Sequence, residues 1–187
     1  MRKTTNVALA GLLGLFLLSW APSAHAQAAM RQDSARIRFG IDGGLGVGVL
    51  TQPTDPLVFG TLAATGRIGV QFDSLFALYY QMGGWLLGRQ GASAYGTNGV
   101  WSHTANVDFT FGNAFQIGAG AGVDLVGAGL NAYPGFDARV MFLIGTTGPG
   151  SRGAFALGVK AHFTIDLEGS SPSLLAMPML FAGFELF

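Results

Sequence analysis

The chain predicts an all-β fold, an eight-stranded antiparallel up-and-down transmembrane β-barrel. Three observations carry that prediction. Eight stretches alternate apolar and polar residues with period two. Every charge inside them falls on one parity, so each strand has an uncharged face. A secretory signal precedes the first stretch.

The signal comes first in the chain. Arg2 and Lys3 form a positive start, Val7 to Leu18 an apolar run, and Ala24-His25-Ala26 an A-x-A cleavage site. The expected division is a signal peptide over residues 1–26 and a barrel domain over 27–187. The alternative, an uncleaved membrane anchor, asks for about 20 apolar residues, more than this run supplies.

The strands follow in order. Arg36–Val49 sets Ile37, Phe39, Ile41, Leu45 and Val47 against Arg36, Arg38 and Asp42. Thr61–Asp73 sets Leu62, Ile68 and Val70 against Thr65, Arg67 and Asp73. Leu75–Leu87 sets Leu78, Tyr80, Met82 and Leu86 against Tyr79, Gln81 and Trp85. Val100–Phe111 sets Trp101, Val107 and Phe109 against Ser102, Asn106 and Asp108. Phe115–Val126 faces Ile117 and Val123 away from Gln116 and Asp124, and Phe136–Ile144 faces Val140 and Phe142 away from Asp137 and Arg139. Ala154–Leu167 separates Phe155 and Val159 from Lys160, His162 and Asp166, and Leu174–Phe187 separates Leu180 and Phe184 from Met177 and Glu185. Each stretch is long enough for a tilted membrane-spanning strand of about 9–11 residues.

The charged, glycine-rich face belongs inside. An eight-stranded interior is narrow and holds few large side chains, whereas the apolar face is bulky on every strand. A cation facing lipid at mid-depth costs roughly 2–4 kcal/mol, which explains the parity of the charges. With a periplasmic N-terminus, outward-facing Phe39, Phe72, Phe76, Phe109, Phe111, Phe115, Phe142, Phe155 and Phe184 share one height and form an aromatic girdle. Trp101 and Phe136 are the best members of an outer girdle.

Composition agrees. Half of the 187 residues are hydrophobic and 11% are charged, against roughly a quarter in soluble domains. The net charge is zero, so no basic surface invites nucleic acid. There is no cysteine, which excludes disulfides, thiolate metal sites and cysteine lipidation. No metal-ligand cluster and no cofactor motif is present; Gly44-Leu45-Gly46 lies inside a strand with no helix after it.

Over the whole mature chain this pattern resembles the small eight-stranded outer-membrane barrels of the OmpA/OmpX type. The resemblance implies residence in the bacterial outer membrane, in contact with its lipid, and assembly by the barrel-assembly machinery through a C-terminal strand ending in Phe187. Glu185 departs from the family's usual second aromatic. Pro178 departs too; it has no N–H for the ladder, so a local gap is expected there.

Function is less legible. His103 faces outward, as in lipid A deacylases, but its i+2 neighbour is Ala105 rather than serine, so the nucleophile pairing is missing. His162 beside Asp137 or Asp166 reads equally as an acid–base pair or a lumen ion network. No enzyme activity is expected. The network expected in the lumen comprises Arg38, Asp42, Arg67, Asp124, Asp137, Arg139, Lys160, His162, Asp166 and Glu185. Hairpin counting pairs Glu185 with Arg36 or Arg38, Asp42 with Arg67, and Asp124 with Arg139. Two functions remain: a structural or surface-interaction barrel with a largely plugged polar lumen, or a barrel that binds or transports a small hydrophobic ligand. The second would use a pocket at the outer mouth formed by Trp85, Leu87, Met177, Leu175, Ala63 and Gly46.

Overall fold

A computed structural model describes residues 35–51, 55–72, 75–95, 99–112, 114–127, 130–145, 153–166 and 173–186. The expected signal peptide and Phe187 lie outside the described residues. The strands are β1 (Arg36–Leu50), β2 (Leu57–Gln71), β3 (Phe76–Leu87), β4 (Gly99–Phe111), β5 (Phe115–Val126), β6 (Asn131–Ile144), β7 (Gly153–Asp166) and β8 (Ser173–Leu186). Each pairs antiparallel with its sequence neighbours, and β8 closes on β1. A closed wall leaves no strand edge unpaired, as a span through lipid requires.

The wall is sheared. Following paired residues once round from Gly40 on β1 leads back to Leu50 on the same strand, a stagger of ten residues. A row of hydrogen-bonded neighbours therefore climbs toward the outer mouth as it passes from β1 to β8.

Two strand starts and one connection differ most from expectation. β2 begins at Leu57 rather than Thr61. β6 begins at Asn131 rather than Phe136 and runs through Pro134 and Gly135. The bond from Leu143 N to Ala114 O (2.7 Å) puts the odd β6 residues in hydrogen bonds with β5. The Pro134 nitrogen therefore faces β7, whose ladder starts only at Gly135, so no ladder bond is lost. A short helix, α1 (Arg89–Tyr95), stands between β3 and β4 where a plain loop was expected. Gly91 seats it on the Phe59 ring, where a Cβ would approach to 2.5 Å.

Pro178 does interrupt a ladder. The bond from Thr51 N to Leu174 O (2.9 Å) makes Val47–Pro178 a hydrogen-bonded position. The β1–β8 pairing runs to Gly46–Met179, skips Val47 and Gly48, and resumes at Val49–Ala176.

The two faces separate as the parity predicted. Ile41, Leu45 and Leu180 are 68%, 65% and 64% exposed on the outside, while the charged side chains of the wall are buried inside, apart from Arg36 and Asp166 at the two ends of the strands. The phenylalanine girdle is continuous in places: ring centroids lie 5.5 Å apart for Phe72–Phe76, 5.7 Å for Phe76–Phe109, and 5.2 Å for Phe115–Phe142.

Candidate functional site

The lumen is layered. At its periplasmic end Glu185 bonds both Arg38 (3.4 Å) and Arg67, and Arg67 also reaches Asp42 (3.4 Å). Arg36, the other candidate for Glu185, is exposed at the rim of β1. Gly40 makes the Arg67–Glu185 contact possible. It pairs with Arg67 on one side and Glu185 on the other, so the two side chains meet over it. A Cβ there would lie 2.8 Å from Glu185 Oε1.

Arg139 and Asp108 repeat this device. Arg139 bonds Asp108 through Nε (3.1 Å) and Nη2 (2.5 Å), a two-point pair of the strong kind. Gly118 lies between them, paired with both. The expected Asp124–Arg139 pair does not form. Because β6 starts early, Arg139 stands opposite Gly118 and Asp124 opposite Tyr133, well above it. Tyr79 sits between two guanidinium groups, with Arg38 and Arg139 each 5.5 Å from its ring centre.

Higher up, His162 bridges two carboxylates. Nδ1 is 2.8 Å from Asp137 and Nε2 is 2.9 Å from Asp124. Ionised carboxylates only accept, so both bonds form when both ring nitrogens donate. The resulting imidazolium balances the buried charge. With it, among the described residues, the buried Arg38, Arg67, Arg139, Lys160 and His162 face Asp42, Asp108, Asp124, Asp137 and Glu185, five cations against five anions. Thr164 donates to Asp124 Oδ2 at 2.6 Å, and Thr104 and Gln81 donate to Asp137 Oδ2 at 2.7 and 3.0 Å. Lys160 bonds Asp42 and, at 3.1 Å, Thr65. Trp85 stacks on His162 at 4.5 Å and donates to Ser102 at 3.1 Å.

The outer mouth holds the other expected group. Trp85, Leu87, Leu175, Met177 and Ala63 are buried in one apolar cluster with Leu50, Phe59, Val100, Val126 and Met179. Gly46 lies at its edge, half-buried and paired with Met179. Asp166 is half-buried opposite Ser173 at the outer end of β7. Asp108, Gln81 and Tyr79 join the network beyond the members expected from sequence. Their inward parity was the available signal; their partners lie on non-adjacent strands, which hairpin counting cannot reach.

No protein-family model and no curated protein sequence matches the chain. Among solved structures, Neisserial surface protein A (NspA) matches over 82% of this chain and 98% of its own, with a TM-score of 0.54 and 12% identity. The chain has the fold of a small outer-membrane β-barrel. Ail, the attachment invasion locus protein of Yersinia pestis, in complex with the heparin analogue sucrose octasulfate, matches over 80% of this chain and 99% of its own, with a TM-score of 0.46 and 12% identity. A de novo designed transmembrane β-barrel matches over 79% and 93%, with a TM-score of 0.37 and 10% identity. The exterior locates this outer-membrane barrel. Its apolar band and phenylalanine girdle suit the outer membrane, and its closed wall satisfies the backbone in lipid.

Proposed function

We propose that the protein is a non-catalytic outer-membrane barrel with a structural or surface-interaction role and a lumen closed by its own side chains. The observation that carries this reading is the stacking of two buried layers. An apolar cluster at the outer mouth caps a charge-balanced ion network that crosses the lumen. Ligand binding at the outer mouth is the less supported alternative, because Trp85, Leu87, Leu175 and Met177 pack against one another in that space. Export through the signal at residues 1–26 and assembly through the strand ending in Phe187 belong to the same proposal. Planar-bilayer recording tests it. The reconstituted barrel is expected to give no steady conductance; a reproducible open channel would reject a closed lumen.

A further inference from the structure

The outward face of the wall carries polar side chains in one place. Among the described strand residues of outward parity, all are apolar except Tyr80, Trp101 and His103, on the adjacent strands β3 and β4. Tyr80 Oη and His103 Nδ1 are 2.7 Å apart, and the two rings stack at 6.2 Å. Polar groups facing hydrocarbon are costly unless bonded. When the phenol donates to Nδ1, the remaining ring proton sits on Nε2, which has no hydrogen bond among the described residues.

The wall is hollow next to Met82 and Trp101, the outward neighbours of His103. Gly84, Ala64, Gly43 and Ala182 follow Trp101 in one paired row across β3, β2, β1 and β8. They floor an apolar groove of about 620 Å³. The ten-residue stagger makes the row slope. Its upper end is Trp101, in the outer girdle; its lower end is lined by Phe155 and Phe184, of the inner girdle. Five strands at about 4.8 Å spacing give the row a length of roughly 19 Å. The groove is thus continuous with the lipid-facing surface and slopes obliquely across part of the apolar band of the barrel. A second copy fits it poorly, since two concave faces related by a twofold would enclose a void and forfeit contact.

We propose that this groove seats one acyl chain of an outer-leaflet lipid, whose ester or amide carbonyl accepts a hydrogen bond from His103 Nε2. The chain lies along the glycine and alanine floor. Tyr80 is the positioning residue that holds the imidazole with its proton outward.

Trp101 reports on the site. The refolded barrel, residues 27–187, is placed in phosphatidylcholine vesicles containing a small fraction of phosphatidylethanolamine with a dibrominated acyl chain. Trp101→Phe supplies the signal of Trp85 for subtraction. Bromine quenching of Trp101 is expected to exceed that of random lipid mixing. Ala64→Leu, which fills the floor from the lipid side, returns it to the random value. His103→Phe, with the floor intact, weakens lipid retention by about two- to ten-fold, the worth of one hydrogen bond. Random quenching in the unaltered protein overturns the proposal, as does enrichment unchanged in Ala64→Leu. Cross-linked dimers that Ala64→Leu abolishes, in place of lipid enrichment, would assign the face to a second copy and also overturn it.

Discussion

Glu185→Gln destabilises the barrel by about 3–5 kcal/mol, because it leaves buried arginines without their counter-charge. Glu185 is fully buried and bonds Arg38 and Arg67 from two different strands. Glutamine keeps the shape and removes the charge, so the loss reports electrostatics rather than packing. Urea unfolding from lipid vesicles, followed by heat-modifiable gel migration, reads it. The second member of the pair supplies the check. Arg67→Leu combined with Glu185→Leu costs less than the sum of the two single changes, since the double variant strands fewer charges. Additive losses would mean that the contact contributes nothing of its own.

Gly118→Val is expected to be comparably damaging, although it adds only three carbons. Gly118 faces the lumen between Asp108 and Arg139. A Cβ there would come 3.0 Å from Arg139 Nε and closer still to the Asp108 carboxylate. The wall is held by ladder bonds on both sides, so the side chains must part. Overpacking costs about 1–3 kcal/mol, and separating a buried two-point ion pair adds to it. The control is Ala119→Val, one residue away and facing lipid, which should leave the unfolding midpoint nearly unchanged. Equal effects at both positions would remove Gly118 from its role as the spacer of that pair.

The faces of this protein were legible in its sequence because lipid penalises every outward charge. That rule acts on each strand separately, so parity alone sorted Arg38, Asp108 and Glu185 from Ile41, Phe109 and Phe184. Contacts across the lumen were not legible. Glu185 meets Arg67, and Lys160 meets Asp42, over distances set by the stagger of the closed wall. Asp124 and Arg139 show the failure at close range: reading Pro134 and Gly135 as loop shortened β6 and shifted every pairing along it. A serine two residues on from His103, along its own strand, is what sequence spacing can test. The partner of His103, Tyr80, lies diagonally across a ladder whose register depends on the β3–β4 connection. The helix α1 was hidden by Gly91, which reads as a breaker but serves as a contact with Phe59.

The central claim is that one face of every strand meets lipid and the other a closed interior. The chain contains no cysteine, so single cysteines at Thr61, Leu62, Thr65 and Ile68 of β2 can each carry a nitroxide without background. In vesicles, labels at Leu62 and Ile68 are expected to collide freely with oxygen and little with a water-soluble nickel chelate. Labels at Thr61 and Thr65 are expected to be shielded from both. A swap of the two sets, or strong nickel contact at Thr61 and Thr65, would contradict the assignment of faces or the closure of the lumen.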